Sequence, residues 1–441
     1  MRTEVNENTL TSINNPVFRS YAERYIQINH KFMENARESR MEIDSGSEDG
    51  NFESRVAELR KKGAVVRNDS KSIYTKRISS ACLACQTGVG STTFFISLKC
   101  HRDCFYCFNP NQEGYEYFRD HTRDVVEELQ DLRKSGARVN QLALTGGEPL
   151  LHKEEAIRFF QEARKDFPDV YTRLYTCGDQ LDRPTLQALK DARMDEIRFS
   201  LRIQDSVKAQ QHTYDQIALA REYIPQVMVE MPVLPGTLEE MKGVLLELER
   251  LEIFGINLLE LCFPRHNAEE FRRQGYRIKS QPFRVLYNYW YAGSLPVAGS
   301  EVECLDLVEF ALVEGFKLGV HYCSLENKNT GQIYQQNSHR PLPKTMYFST
   351  ADYFLKSAKV FGNDIAPVQA FFQKTGYKDF EINEEHDYLE FHISQIRSLK
   401  KFDIEIGLSS NVFETRDGER YVRELKVDKT TPKTFRLSKD A

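Results

Sequence analysis

Between residues 92 and 263 the hydrophobic positions follow two alternating patterns. Short runs rich in β-branched and aromatic residues are typical of buried strands, and the longer runs between them place apolar residues on one face of a helix. Six strands are predicted, at residues 92–98, 139–146, 170–176, 196–201, 226–234 and 256–263. Six strand-then-helix units in a row predict an α/β fold with a parallel sheet and helices outside it.

The segments on either side of this region have less regular patterns. Helices are predicted around residues 21–33 and 53–62, on either side of the polar stretch SGSEDGN (45–51). After residue 265 helices are predicted near 281–291 and 301–315, and strands at 319–324, 387–393, 402–408 and 420–427. The chain is therefore expected to have an N-terminal helical extension and a small α+β domain at its C-terminus.

Charge and composition exclude some classes of partner. The 441 residues carry a formal net charge of -5, so no overall basic field attracts nucleic acid or anionic lipid. The sequence also lacks a basic stripe interleaved with aromatic residues, the pattern that would indicate RNA binding. The N-terminus MRTEVNENTL lacks the pattern of a signal peptide, and no apolar run is long enough to span a bilayer. We expect a cytoplasmic protein without membrane or clear nucleic-acid partners.

Three of the nine cysteines, Cys100, Cys104 and Cys107, lie within eight residues of one another. In a large protein of a reducing compartment, such spacing indicates metal binding or catalysis more than a disulfide framework. These three cysteines lie in a loop that follows the first predicted strand. Parallel barrels place their catalytic and binding residues at this C-terminal edge of the sheet. Three thiolates can hold three irons of a [4Fe–4S] cluster and leave the fourth iron open to a small molecule. Core thiols or a zinc site are the alternatives.

The second predicted strand ends in Thr145-Gly-Gly-Glu-Pro149. Glycines let the backbone approach a neighbour closely, and proline fixes the exit direction. The CxxxCxxC and GGEP motifs at the ends of consecutive strands resemble the radical S-adenosylmethionine (SAM) enzymes. The resemblance covers roughly residues 91–265 and implies a partial (β/α)6 TIM-like barrel. It also implies that reductive cleavage of SAM yields a 5′-deoxyadenosyl radical that takes hydrogen from a substrate.

The resemblance also implies roles for individual residues. Cys100, Cys104 and Cys107 would ligate the [4Fe–4S] cluster, whose open iron would chelate SAM, and Tyr106 would lie beside the adenine. The methionyl amino group would be cradled by the motif Gly146, Gly147, Glu148 and Pro149. Residues near the ribose or carboxylate would be Thr176, Ser200 and Arg202. His101 and Arg102 are expected to be exposed polar residues of the loop, and Glu230 to face either the barrel or solvent.

A second set of cysteines comprises Cys82 and Cys85, a CxxC on a predicted loop, and Cys323 in HYCS. The arrangement resembles a group of uncharacterised radical SAM proteins with an upstream CxxCQ and a late HYCS element. That resemblance suggests an auxiliary iron–sulfur cluster held by these three cysteines. The alternatives are that these cysteines bind zinc, or that the CxxC is a structural or redox pair. Cys304, His321 or bound substrate are candidates for the fourth ligand.

The predicted domains are the N-terminal helical extension with the CxxC (1–90), the radical SAM partial barrel (91–330) and the α+β domain (331–441). A peptide or protein side chain is the expected substrate, by analogy with peptide-maturing relatives that carry such additions. Reduced flavodoxin or ferredoxin is the expected electron donor. The alternatives are a glycyl-radical-enzyme activase, a small-molecule radical enzyme, and a non-catalytic iron–sulfur or zinc scaffold or electron carrier.

Overall fold

The computed structural model describes residues 2–38, 41–46, 51–285 and 294–437. Its contacts divide the chain into two units. One consists of Arg40–Pro282 and Tyr289–Gly331, and the other of Met1–Ser39, Phe283–Asn288 and Gln332–Ala441. By these contacts the first 39 residues group with the C-terminal part of the chain, and the CxxC groups with the barrel.

The helices and strands are numbered in chain order. The helices are α1 (Pro16–Glu38), α2 (Phe52–Lys61), α3 (Ser80–Cys85), α4 (Tyr115–Asp120), α5 (Val125–Lys134), α6 (Lys153–Asp166), α7 (Arg183–Asp191), α8 (Val207–Arg221), α9 (Leu238–Arg250), α10 (Ala268–Arg273), α11 (Ser300–Val313), α12 (Leu325–Asn337) and α13 (Ile365–Thr375). The strands are β1 (Val65–Arg67), β2 (Ser72–Tyr74), β3 (Ser91–Phe95), β4 (Gln141–Thr145), β5 (Tyr171–Thr176), β6 (Glu196–Phe199), β7 (Gln226–Val233), β8 (Gly255–Glu260), β9 (Cys262–Phe263), β10 (Leu295–Pro296), β11 (Gly319–Cys323), β12 (Tyr347–Phe348), β13 (Leu355–Phe361), β14 (Phe380–Asn383), β15 (Tyr388–Phe391), β16 (Ile406–Arg416) and β17 (Glu419–Thr430).

The barrel unit is built on a nine-stranded sheet of order β1-β2-β11-β8-β7-β6-β5-β4-β3. Strands β3 to β8 lie side by side in chain order, and each pairs in parallel with the next. Strand β11 adds a further parallel strand beside β8, and β2 then pairs with it in the antiparallel sense. The predicted α/β partial barrel is confirmed, because the six predicted strands form its parallel sheet in the predicted order.

Side chains alternate between the two faces of this sheet, as the pleat of a strand requires. One face is apolar and packs with the helices in a single core, which includes Leu144, Leu174 and Ile197. The other face carries buried and half-buried polar side chains, and we call it the polar face. Its members are Arg173, Tyr175, Glu196, Arg198, Glu230, Asn257 and His321. Glu230, for which the sequence left two orientations open, is hydrogen-bonded within this face.

The CxxC lies in the short helix α3, so its prediction as a loop was wrong. Ser79 caps the helix, since its hydroxyl accepts a hydrogen bond from Ala81 N at 3.1 Å. The same hydroxyl donates to the buried carboxylate of Glu196 at 2.5 Å. Serine is a favoured residue at the start of a helix. The helix was not predicted because six residues are too few to show a helical pattern of apolar positions.

The second unit contains a six-stranded sheet of order β14-β15-β13-β16-β17, with β12 paired to β13. Its core includes Val368 and Phe372 of α13, and in α1 the ring of Phe18 stacks on Phe361 with centroids 4.6 Å apart. These elements confirm the predicted α+β character. The helix predicted near 281–291 and the joint predicted at 45–51 fall largely outside the described residues. None of the helices that the structure describes is long and apolar enough to cross a membrane.

Candidate active site

The loop that contains Cys100, Cys104 and Cys107, which we call the cysteine loop, lies directly after β3 at the C-terminal edge of the parallel sheet. Within it Cys107 N donates to Cys104 O at 2.9 Å, and Arg102 N donates to Cys100 Sγ at 3.4 Å. Burial raises the pKa of Cys104 to about 11, although the positive charge of Arg202 opposes the shift. Burial also raises the pKa of Cys100 and Cys107. The thiols are therefore protonated at neutral pH until a metal ion displaces the protons.

Arg102 ties the cysteine loop to the ends of two further strands. Its guanidinium donates to both carboxylate oxygens of Asp179, at 2.6 and 2.7 Å, and to Asp205 Oδ2 at 2.6 Å. His101 Nε2 also lies 2.6 Å from Asp179. Burial alone would raise the pKa of Asp179, but the hydrogen bonds from Arg102 and His101 lower it to about 2. His101 is exposed as predicted, but Arg102, at 17% exposure, is not an exposed loop residue.

The GGEP motif packs against the residues that lead into the cysteine loop. Gly147 N donates to Ser97 O at 3.0 Å, and Glu148 N donates to Lys99 O at 2.8 Å. A Cβ at Gly147 would lie only 1.9 Å from Lys99 O, and one at Gly146 only 2.5 Å from Ser97 O. In addition, Asn109 Nδ2 donates to Gly146 O at 2.7 Å. The two glycines are therefore required for the close approach of the two motifs.

Glu148 joins the end of β4 to the end of β5. Its carboxylate accepts hydrogen bonds from the Thr176 hydroxyl and from Cys177 N, both at 2.7 Å. Thr176 O in turn accepts a hydrogen bond from Ser200 N at 2.9 Å, beyond the end of β6. The predicted residues Gly146, Gly147, Glu148, Pro149, Thr176 and Ser200 thus meet at one edge of the sheet. Their contacts with SAM stay a prediction.

Arg202 lies near the cysteine loop, which itself contains Tyr106. The Arg202 side chain is 19% exposed, and its Nε is 3.4 Å from Asp205 Oδ1 without the geometry of a hydrogen bond. The positive charge of Arg202 acts on both Cys104 and Tyr106. The ring of Tyr106 packs edge-on against Phe105 with centroids 5.0 Å apart. Arg202 thus supplies a positive charge close to Cys104, as the binding of a ligand carboxylate would require.

The second set of cysteines meets polar donors on the polar face. Cys82 Sγ accepts hydrogen bonds from Asn257 Nδ2 at 3.2 Å and from Arg198 Nη2 at 3.3 Å. Cys323 Sγ, at the end of β11, accepts one from Asn327 Nδ2 at 3.2 Å. Hydrogen bonds to sulfur are typical of the surroundings of iron–sulfur clusters and other metal thiolates.

Burial raises the pKa of Cys323 to about 12, and the nearby thiols of Cys85 and Cys82 add to the shift. Of the candidates for a fourth ligand, His321 has both ring nitrogens occupied, by Asn257 Oδ1 and Ser72 Oγ, each at 2.8 Å. Burial lowers the pKa of His321 to about 3, so the ring is neutral. Cys304 is fully buried among the apolar residues of the barrel core, and this burial raises the pKa of its thiol.

Comparisons with known proteins agree with this geometry. Residues 94–248 match the family model described as the radical SAM superfamily. A curated relative from Methanocaldococcus jannaschii, named "Putative glycyl-radical enzyme activating enzyme", is 25% identical over 305 residues, which cover 65% of this chain and 75% of the relative.

Two solved structures show more distant similarity. Streptococcus suis SuiB bound to its precursor peptide SuiA is 12% identical, with 73% of this chain and 65% of that chain covered and a TM-score of 0.40. The protein anSMEcpe with bound AdoMet and a peptide is 18% identical, with 39% of this chain and 51% of that chain covered and a TM-score of 0.32. The chain thus spans between about half and two thirds of these two proteins.

The family match coincides with the strands that carry both motifs. The chain therefore contains a domain of the radical SAM superfamily. Membership of this superfamily implies a [4Fe–4S] cluster and SAM as cofactors.

The sequence analysis missed several residues that organise the site. Asn109, Asp179 and Asp205 hold the cysteine loop, and Arg173 and Arg198 lie buried on the polar face. A signal for the last two was present, because the runs YTRLYT and EIRF place polar or charged residues at alternate positions of the predicted strands. Alternation of this kind predicts a second, polar face.

We expect Gly147→Ala to lower the free energy of unfolding by about 3 kcal/mol, because the added methyl group overlaps the Lys99 carbonyl. Urea denaturation measures the change. The matched control is Gly243→Ala, on the exposed side of α9, where a Cβ meets nothing within 4 Å. That change should raise stability by about 0.5–1 kcal/mol through helix propensity. Equal stability of the two variants would contradict the close approach.

Proposed function

We propose that this chain is a radical SAM enzyme in which Cys100, Cys104 and Cys107 ligate a [4Fe–4S] cluster. One observation supports the proposal most directly: the backbone of GGEP is hydrogen-bonded to Ser97 and Lys99, immediately before the first cysteine. The cysteines and the motif therefore form one site at the ends of β3 and β4. An electron carrier or scaffold needs the cysteines but no SAM-binding turn beside them.

The residues present fit the cofactors. A short loop offers three thiol donors, which leaves one iron of a [4Fe–4S] cluster open to SAM. When bound and reduced, the cluster supplies the electron that cleaves SAM to methionine and a 5′-deoxyadenosyl radical. Around it the chain would position its own groups: the GGEP backbone would hold the amino group, and Tyr106 would pack against the adenine. Thr176, Ser200 and Arg202 would lie near the ribose or the carboxylate.

We expect Cys104→Ala to abolish the formation of 5′-deoxyadenosine from SAM under dithionite, because two thiolates cannot retain the cluster. Chromatography of the anaerobic reaction measures the product. Cys262→Ala removes a buried thiol outside both cysteine groups and serves as the control, which should keep the wild-type rate. If the wild-type protein makes no 5′-deoxyadenosine, the enzyme assignment fails and the scaffold alternative gains support.

We propose further that Cys82, Cys85 and Cys323 hold an auxiliary iron–sulfur cluster. Support comes from the N–H donors of Arg198, Asn257 and Asn327 on the sulfurs of Cys82 and Cys323. Such donors stabilise negative charge on metal-bound sulfur. Zinc bound by the same thiols is the alternative.

We expect the Cys100/Cys104/Cys107→Ala triple variant, reconstituted anaerobically, to retain about four irons per chain. The matched variant Cys82/Cys85/Cys323→Ala should retain the same number at the other site. Metal and sulfide analysis measures both. Zinc instead of iron in the first variant would show that Cys82, Cys85 and Cys323 form a zinc site. If the first variant binds no metal, the proposal of an auxiliary site is wrong.

We propose a peptide or protein as the substrate, and reduced flavodoxin or ferredoxin as the electron donor. The relative named as a glycyl-radical enzyme activating enzyme supports a second candidate, an activase, whose substrate is the backbone of another protein. Both candidates act on a polypeptide, but they differ in the radical product. A small-molecule substrate is the remaining alternative.

We expect deuterium transfer to 5′-deoxyadenosine from the macromolecular fraction of an extract of the source cells grown in deuterated medium, and none from the dialysed small molecules. Mass spectrometry of 5′-deoxyadenosine measures the transfer, with Cys104→Ala as the control. Protease treatment of the fraction should abolish it. A persistent glycyl radical in the fraction, seen by electron paramagnetic resonance (EPR), would identify an activase. Transfer from the small molecules alone would contradict a polypeptide substrate.

A further inference from the structure

The turn between β1 and β2 has a strained backbone. Asn68, Asp69 and Ser70 are left-handed, with φ of 49°, 51° and 63°, although none of them is glycine. This conformation is unfavourable for residues with a Cβ, and asparagine and aspartate adopt it more readily than most. Asn68 is also buried, at 8% exposure. Strain of this kind persists only where the surrounding structure holds it, and it is concentrated at functional sites.

This turn lies against the segment that carries Cys323. In the antiparallel pair of β2 and β11, Cys323 is opposite Ser72, so the turn that precedes β2 meets the end of β11. Ser324 N donates a hydrogen bond to Lys71 O at 3.1 Å. Helix α12 begins at Leu325, directly after these residues. The backbone therefore brings the turn next to the start of α12.

The side chain of Asn68 connects the turn to Cys323 through α12. Asn68 Nδ2 donates to Asn327 Oδ1 at 2.7 Å and to Thr330 Oγ1 at 2.9 Å. Asn327 Nδ2 donates in turn to Cys323 Sγ at 3.2 Å. The Thr330 hydroxyl donates to Glu326 O, one turn back in the helix, at 3.0 Å. The side chains of this network are buried, so its hydrogen bonds are shielded from water.

These hydrogen bonds run in one direction. Because the Thr330 hydroxyl gives its proton to the Glu326 carbonyl, its oxygen accepts from Asn68. The buried Oδ1 of Asn68 has no hydrogen-bond partner in the described chain. If both amides were reversed, the NH2 group of Asn68 would lack a partner instead, and a buried N–H without an acceptor is rarer than a carbonyl oxygen without a donor. Asn68 therefore holds Asn327 with its oxygen towards the turn and its N–H towards the sulfur.

This direction suits a metal-bound sulfur at Cys323. A thiolate that ligates a metal accepts hydrogen bonds and has no proton to donate. The sulfur of Cys82 has similar surroundings, because it accepts from Arg198 Nη2, and an arginine can only donate. Hydrogen bonds of this kind orient metal ligands and stabilise the charge on them.

We propose that Asn68 is a positioning residue for the auxiliary metal site. It holds the Asn327 amide so that its N–H points at Cys323 Sγ and stabilises the metal-bound thiolate. This inference rests on the auxiliary site proposed above and is independent of the cluster that would bind SAM. It gives a role to a residue that lies outside every cysteine motif, in a turn 255 positions before Cys323 in the chain.

The test uses the full chain with the three cysteines of the cysteine loop replaced by alanine, which we call the parent variant. In this background Asn68→Gly removes the amide, and glycine suits the left-handed backbone. Asn68→Asp keeps the size of the side chain but replaces the NH2 donor by a carboxylate oxygen, which favours the reversed orientation of Asn327. Asn327→Asp removes the donor itself. Asp69→Gly, at an exposed left-handed position of the same turn, is the matched control.

Each variant is loaded anaerobically with iron and sulfide, and the release of metal to EDTA is followed with time. We expect both Asn68 variants to release the metal about tenfold or more faster than the parent, because loss of a partner that orients a ligand typically weakens metal binding about 10–100-fold. Asp69→Gly should release it at the parent rate. The double variant Asn68→Gly/Asn327→Asp should match Asn327→Asp alone, because Asn68 acts through Asn327.

The reduction potential of the cluster is a second readout, which a purely structural role of Asn68 would not change. Hydrogen bonds to the sulfurs contribute to the potential of an iron–sulfur cluster. Since such bonds stabilise the more negative, reduced state, the potential should fall in both Asn68 variants. A titration monitored by EPR measures it.

Release at the parent rate in both Asn68 variants would overturn the proposal. Additive effects in the double variant would overturn it too, since Asn68 would then not act through Asn327. If Asn68→Gly does not fold, as judged by circular dichroism of the metal-free protein, the isosteric Asn68→Asp decides. If the site holds zinc, the release rates decide without the potential.

SAM cleavage by the wild-type protein is measured in parallel. A parent variant without any metal would overturn this inference together with the auxiliary site, and cleavage by wild type would then still support the proposed enzyme. Faster release in the Asn68 variants without SAM cleavage by wild type would support this inference and remove the proposed enzyme alone.

Discussion

The site depends on the contact between the two glycines of GGEP and the backbone that enters the cysteine loop. Any side chain at Gly147 would overlap the Lys99 carbonyl, which is itself hydrogen-bonded to Glu148 N at 2.8 Å. Parallel strands align their ends but do not by themselves fix the loops that follow them. This contact, together with Asn109 on the Gly146 carbonyl, sets the cysteine loop against the end of β4. The glycines thus serve the fold of the site as well as any ligand.

Electrostatic pairing then holds the loop from its other side. Arg102 binds Asp179 and Asp205, which lie in the segments that follow β5 and β6. The cysteine loop after β3 and the GGEP motif after β4 are thus linked to the ends of these two strands. The ligand atoms of His101, Cys177 and Asp179 lie within 4.8 Å of one another. Because Asp179 is already paired with Arg102, this group belongs to the support of the loop. Residues outside the cysteines and the GGEP motif therefore also organise the site.

The polar face shows how a barrel can hold charges in its interior by pairing them with one another. Arg198, Glu196, Glu230, Asn257 and His321 satisfy one another in a continuous network, which also provides hydrogen bonds to Cys82. Networks of this kind are stable only when each member is satisfied. Arg173 departs from that rule, and its unused donors distinguish it from its neighbours.

The sequence by itself determined the parallel sheet, its six strands and the two motifs at the strand ends. Period-two and helical patterns are local properties, and the CxxxCxxC and GGEP spacings each lie within a single turn or loop. Only the tertiary structure decided which residues brace those motifs. Arg102 and Asp179 are 77 positions apart, and Cys82 and Asn257 are 175 apart. Such partners carry no local pattern, because the folding of the sheet alone brings their strands together.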